Sequence, residues 1–320
     1  MLDEACRLGE DPWTAAMRRG DLAAAWAVSD AVLAARIASG VTCCHWPRHE
    51  QFVWAGGDLA GRRVLVRCYH GLGDTLQFIR FAEPLSHIAG SVIVWAQPAL
   101  IPLLRSAAGV DALLPLHDGV PDVAYDIDIE LMEVPHALRT TLETLPRRVP
   151  YLSVDPALVA AKRAAVRRPG RLAVGVVWSA GGWDERRSAP PSLVERLACV
   201  PGVDLHCLQR GPALAEWHET GRGGLFRNSD DRSEDILGAA ATMLALDLVV
   251  TVDTMTAHLA GALGVPVWTL LHADPDWRWM TGREDSPWYP TMRLFRQTAP
   301  GEWGPVLARV EAELRALARG

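Results

Sequence analysis

Lysine is almost absent from the chain: Lys162 is the only one, so 31 of the 32 basic residues are arginine. That bias reads as background of the kind genomic base composition produces, and no function is read from it. Positive charge is also in deficit. Against 38 acidic side chains the formal net charge is −6, which disfavours a nonspecific polyanion binder, since such proteins need a basic face. No nucleic-acid partner is expected. Cysteines at metal or redox spacing are missing as well. Cys6, Cys43, Cys44, Cys68, Cys199 and Cys207 form no C-x-x-C pair. Cys68 and Cys207 fall in strand-like runs, where cysteine behaves as a small buried hydrophobe. The N-terminus, Met1-Leu-Asp-Glu-Ala-Cys-Arg, has no apolar run behind it, which argues against a signal peptide. The longest uninterrupted apolar stretch, Ile236 to Leu246, is too short to span a bilayer and stops at Asp247, so no transmembrane segment is expected. A reduced cytoplasmic protein fits these absences, with a peripheral membrane contact left open.

What is present is globular. With 49% hydrophobic and 22% charged residues the composition is that of a folded soluble core. A single core seldom exceeds roughly 250–300 residues, so the 320 residues point to two domains. Phenylalanine (5) and tyrosine (4) are together outnumbered by tryptophan (13). Five tryptophans, Trp268, Trp277, Trp279, Trp288 and Trp303, crowd the last 53 residues. Core packing is the preferred account of them, with a stacking face at Trp277 or Trp279 as the sharper one.

The hydrophobic pattern divides the chain. Residues 12–39 read as two helices broken at Gly20-Asp21, a single tetratricopeptide-type hairpin that packs or docks rather than stacking into a solenoid. From Gly61 strands and helices alternate, with strands at 63–68, 91–96 and 111–116. After a basic helical stretch, 155–170, read as an interdomain connection, strands follow at 172–178, 203–208, 246–252 and 265–271. Helices fall near 191–199, 233–245, 254–263 and 303–318. Such alternation implies two doubly wound, mostly parallel sheets.

Three segments carry chemistry. Gly71-Leu72-Gly73-Asp74-Thr75 links a strand to a helix, where glycines allow close backbone approach and the helix offers free N–H groups. A dinucleotide fingerprint would need glycine where Leu76 stands. Asp74 is either a helix cap or a catalytic carboxylate. Trp178-Ser179-Ala180-Gly181-Gly182, followed by Arg186-Arg187-Ser188, suits a diphosphate through backbone amides and a guanidinium. Asp253-Thr254 ends a buried strand and begins a small-residue helix, with His258 one turn on, at the sheet edge where open α/β folds bind ligands. Cys43-Cys44-His45-Trp46-Pro47-Arg48-His49 holds four potential ligands, but Pro47 breaks the helical face and no second ligand pair follows. Asp126-Ile-Asp128 and Asp274-Pro-Asp276 have D-x-D spacing. They read as a strand edge and a turn, and no metal is expected.

In this order the segments resemble the heptosyltransferase-like proteins of glycosyltransferase family 9, in the bacterial branch often fused to tetratricopeptide repeats. The residues that carry the likeness are Tyr69–Phe81, Val174–Gly181, Val252–Gly264 and Trp277–Gln297. The resemblance implies an α/β GT-B fold of two facing Rossmann-like domains. It implies inverting, metal-independent transfer of a sugar from a nucleotide-diphosphate donor to a glycan or protein hydroxyl, with the nucleotide sugar as co-substrate and no other cofactor. Asp74 matches the family's general base, and Gly71, Gly73, Thr75 and Gln77 its acceptor-side loop. Ser179, Ala180, Gly181, Arg187, Asp253, Thr254 and His258 match the donor-phosphate side. Met255 stands where relatives have a smaller residue, and Trp183 sits in a shortened loop, so base and ribose contacts are not assigned. The organisation expected is a hairpin appendage at 1–55, an acceptor domain at 56–165, a donor domain at 166–300, and a helix at 301–320 packing back on the first domain. The alternatives are a GT-B-type nucleotide-sugar epimerase, or a noncatalytic module that binds a sugar nucleotide or docks a protein.

Overall fold

A computed structural model describes residues 10–182, 184–227 and 235–319. The readings made on Met1–Arg7, on Trp183 and on a helix start at Ser233 lie outside the described residues. The chain divides into two compact units: residues 1–101, 107–147 and 276–283 form the first, and 102–106, 148–275 and 284–320 the second.

The first unit is built on four parallel strands: β1 (Arg63–Arg67), β2 (Ser91–Ala96), β3 (Ala112–Pro115) and β4 (Ile127–Glu130), in the order β3-β2-β1-β4. Leu65, Ile93 and Trp95 are buried together on one face. The chain steps outward from β1 to β3 and returns to the other side of β1 as β4. The β1/β4 boundary is therefore a topological switch point, where loops from both strands meet at the carboxyl edge. The Asp126/Asp128 pair is structural. Asp126 takes hydrogen bonds from the Arg63 guanidinium, and Asp128 forms a two-pronged ion pair with Arg67. Each carboxylate thus ties β4 to β1.

The second unit carries five parallel strands: β5 (Leu172–Val177), β6 (Val203–Cys207), β7 (Leu248–Val252), β8 (Val267–Leu271) and β9 (Met292–Arg296), ordered β6-β5-β7-β8-β9. Its switch point lies between β5 and β7. All five residues of β7 are buried, as expected for a central parallel strand covered on both faces. The helix Met255–Ala262 follows β7 and packs through small side chains. At Gly261 an added Cβ would lie 2.4–2.7 Å from three carbons of the buried Tyr289 ring. We predict that Gly261→Ala loses about 1–3 kcal/mol, the usual penalty of overpacking a filled core. An unchanged midpoint in chemical denaturation would contradict this.

Three expectations are corrected. The basic stretch 155–170 is not a connection between the units: the helix Pro156–Val166 belongs to the second unit, whose main segment begins at residue 148. Its arginines serve the helix Ile236–Ala245, with Arg163 and Arg167 donating to the carbonyls of Leu244, Ala245 and Leu246. Cations there oppose the negative end of the helix dipole. The terminal helix, Trp303–Leu317, packs within the second unit, where Val306, Leu307, Val310 and Leu314 join the core of β5–β7. It was expected on the first domain. The hairpin Pro12–Arg19 and Leu22–Ser39 is not a separate appendage but part of the first unit. Asp30 pairs with Arg139 and His136, and Trp26 Nε1 donates to the Thr140 carbonyl at 2.6 Å. The same helix Leu22–Ser39 is long and apolar enough to cross a membrane by length and composition only, a test that the core helix of a soluble protein also passes. A search for uninterrupted apolar runs passes over it because Asp30 and Arg36 interrupt the sequence.

Candidate functional site

In the first unit the turn after β1 delivers Asp74 to the switch point. Asp74 sits in the first turn of the helix Leu72–Phe78, and its Oδ2 accepts from the Gly71 backbone N–H at 2.8 Å. The capping reading is therefore partly right, but it occupies only one carboxylate oxygen. Oδ1 accepts from Arg278 Nη2 at 2.5 Å. The sequence reading overlooked Arg278 and saw only the tryptophans on either side of it. The guanidinium stacks over Trp277 at 4.6 Å, and Nη1 reaches both oxygens of Asp276 at 2.9 Å.

Around Asp74 the other loop residues divide by depth. Gly71 is exposed and Gly73 and Asp74 are partly so, whereas Thr75 and Gln77 are buried beneath the loop. Thr75 donates to Gln97 Oε1 at 2.9 Å, and Gln97 Nε2 in turn donates to the His70 carbonyl at 2.8 Å. Thr75 therefore shapes the loop from below rather than facing solvent. Glu130, the last residue of β4, is the second unforeseen group. It is 3% exposed, accepts from the Met132 N–H at 2.6 Å, and lies 3.8 Å from His70 Nε2. Burial, with added repulsion from Glu133 and Asp74, pushes its carboxyl up to about 8. Burial likewise holds the His70 imidazole below its ordinary value. Nothing in the sequence announces this pair, because an acidic residue ending a strand is usually solvated.

In the second unit the loop after β5 and the turn after β7 meet, as their adjacent strands require. Arg187 Nη1 donates to the Asp253 carbonyl at 3.3 Å. The Ser179–Ser188 loop folds back on itself: the Ala180 N–H donates to Ser188 Oγ at 3.0 Å, and Ser179 Oγ lies 3.3 Å from the same oxygen. Gln209, beyond β6, anchors the base of this loop. Its Oε1 accepts from the Trp178 and Ser179 N–H groups. Gly181 is exposed, and an added Cβ there would touch nothing within 4 Å. Thr254 caps the helix Met255–Ala262 by accepting from the Thr256 N–H. Asp253 and His258 are buried, and His258 Nδ1 lies 2.9 Å from Tyr289 Oη. His258 is thus fastened to the core on one side of its ring. The loop after β8 adds His272, 4.0 Å from Asp184; burial and the neighbouring Arg186 depress its basicity.

Among the described residues no three His, Cys, Asp or Glu side chains group as a metal site. Cys43 Sγ is engaged with the Phe52 backbone and Cys44 is exposed. The late tryptophans divide between the units. Trp279 and Trp288 are fully buried, and Trp277 packs edge-on against Trp13 at 5.1 Å. Core packing accounts for Trp279 and Trp288, whereas the partly buried Trp277 lies beneath the Arg278 guanidinium.

No family model matches the chain. Protein FlbA of Caulobacter vibrioides is 29% identical over 287 residues, covering 82% of this chain and 48% of that protein. The chain thus spans about half the length of that relative. Among solved structures, a glycosyl transferase family 9 protein from Veillonella parvula aligns with 82% of this chain and 99% of its own, at 14% identity and a TM-score of 0.58. ADP-heptose lipopolysaccharide heptosyltransferase II of E. coli aligns with 80% of this chain and 98% of its own, at 17% identity and a TM-score of 0.55. With its two all-parallel sheets and their flanking helices, the chain has the α/β GT-B fold of these glycosyltransferase structures.

Proposed function

We propose that the chain is an inverting, metal-independent glycosyltransferase. It moves a sugar from a nucleotide-diphosphate donor to a hydroxyl on a glycan or protein, with Asp74 as general base. The observation that carries this reading is the Arg187–Asp253 contact, which joins the Ser179–Ser188 loop to the start of the helix Met255–Ala262 at the β5/β7 switch point. Backbone amides, a helix N-terminus and a guanidinium gathered there suit a diphosphate and would stabilise the charge that grows on it as the sugar departs. The GT-B fold supports the same assignment by analogy, since fold alone does not fix chemistry. Asp74, at the other switch point, is the carboxylate that takes the acceptor's proton. No metal or further cofactor enters the proposed reaction, and a cytoplasmic location fits a nucleotide-sugar substrate.

The test is a thermal-shift panel of nucleotide sugars and nucleoside diphosphates. A bound donor at about 100 times its Kd raises stability by about 2.7 kcal/mol. At least one nucleoside diphosphate is expected to shift the transition, and Arg187→Ala to weaken that shift. Absence of any nucleoside diphosphate binding at millimolar concentration would sink the reading. A new sugar isomer formed without acceptor, seen by NMR, would replace it with an epimerase.

A further inference from the structure

Arg278 reaches Asp74 from far along the chain. Residues 276–283 form a short strap that returns from the second half of the sequence and belongs to the first unit. The helical hairpin holds this strap in place. The Thr281 N–H donates to the Arg18 carbonyl at 3.0 Å, and Met280 is buried among Ala16, Met17, Leu22 and Trp26. Trp13 closes edge-on against Trp277. The strap thereby presents an arginine whose side chain is only 9% exposed and whose guanidinium is shared between two carboxylates.

The arrangement matters for a base. A carboxylate that caps only Gly71 can still rotate about its own axis. One that accepts from Gly71 on Oδ2 and from Arg278 on Oδ1 is fixed in plane, and each oxygen keeps a second lone pair for a substrate proton. A buried arginine facing Asp74 alone would be left as an unpaired charge once Asp74 became neutral, which is costly. Asp276, held by both of its oxygens, removes that obstacle.

We propose that Arg278 is a positioning residue for Asp74, and that Asp276 is the counterion that keeps the guanidinium paired when Asp74 takes up a proton. This rests on the transferase reading. In the step concerned, the acceptor O–H bond breaks and its proton passes to Asp74. The acceptor oxygen bonds to the anomeric carbon, and the bond from that carbon to the diphosphate oxygen breaks, its electron pair leaving with the nucleoside diphosphate. The strap and hairpin are then part of the catalytic apparatus rather than a docking appendage.

The experiment uses the full chain and the nucleotide sugar giving the largest thermal shift, with release of nucleoside diphosphate as the readout and water as acceptor where no glycan is faster. Arg278→Gln and Arg278→Lys are both expected to lower kcat about 100-fold, the scale of a misplaced catalytic group, with KM for the donor changed less than roughly twofold. Lysine fails because it cannot span the two carboxylates as the planar fork does. The double variant Asp74→Asn/Arg278→Gln should be no slower than Asp74→Asn alone, since groups acting as one unit are not additive. Guanidinium at millimolar concentration should restore part of the turnover of Arg278→Ala, an effect that a purely structural role would not give. Turnover within roughly threefold of the parent, additive losses in the double variant, or no rescue in a folded Arg278→Ala would each overturn the proposal. If no nucleotide sugar binds the parent chain, the transferase reading fails and takes this proposal with it. Donor binding with normal Arg278→Gln turnover overturns the proposal alone.

Discussion

Asp74→Asn will reduce sugar transfer by about 10²- to 10⁴-fold, the range expected for loss of a general base, while donor binding stays within roughly twofold. The asymmetry follows from where the groups sit. The residues proposed to hold the diphosphate, Ser179, Ala180, Arg187, Asp253 and Thr254, belong to the second unit, whereas Asp74 belongs to the first. The asparagine amide oxygen can still accept from the Gly71 N–H, so the helix Leu72–Phe78 keeps its cap. What is lost is the charge opposite Arg278 and, on the proposed mechanism, the proton acceptor. Isothermal calorimetry with the nucleoside diphosphate, set beside the rate of its release from the nucleotide sugar, separates the two effects. Equal loss of binding and turnover would make Asp74 a structural cap and remove it from the chemistry.

The sequence made Asp74 legible but concealed its surroundings, and the reason is distance along the chain. Strand β1 and its glycine turn are local patterns: an apolar run, two glycines, a helix. The same is true of β5 with Ser179–Gly181 and of β7 with Asp253-Thr254, so all the strands but β4 and β9 could be read in advance. Arg278 lies 204 positions from Asp74 and Glu130 lies 56 from it; no periodicity links them, and only the return of a strap and the addition of β4 beside β1 bring them together. The terminal helix misled for a related reason. Its apolar face is plain in the sequence, but the choice of which core it covers is made by Val306, Val310 and Leu314 against β5–β7. Strand β9 was missed because Arg293 and Arg296 flank the buried pair Leu294-Phe295, which breaks the apolar run without giving a strict alternation. The hairpin's role in holding the strap depends on Met280, Trp13 and the Arg18 carbonyl. A carbonyl contact of that kind leaves no mark on composition or spacing.

Glu130 gives a pH effect on stability that spans neutrality. In the unfolded chain its carboxyl titrates near the ordinary value of 4.5; in the folded chain burial moves it to about 8. Between those two values the folded state holds a proton that the unfolded state has released. The Glu130 contribution is therefore complete below about pH 4.5, declines through neutrality and is gone above about pH 8. Where the two states differ by a full proton, the loss reaches about 1.4 kcal/mol per pH unit. Other groups around it titrate too. Glu133 is raised by its own burial and adds to the decline, whereas His70, lowered by burial, works in the opposite direction. Asp74 adds repulsion that favours the protonated form of Glu130. A difference measurement isolates the one group. Glu130→Gln keeps an amide oxygen to accept from the Met132 N–H but cannot ionise. Its denaturation free energy, followed from pH 5 to 9, is expected to fall less steeply than that of the parent chain, and to exceed it at the alkaline end. Parallel curves would mean that Glu130 ionises normally in the fold. The consequence for the site is electrostatic: the upward shift of Glu130 favours its neutral form beside Asp74, which lessens the repulsion between the two carboxyl groups.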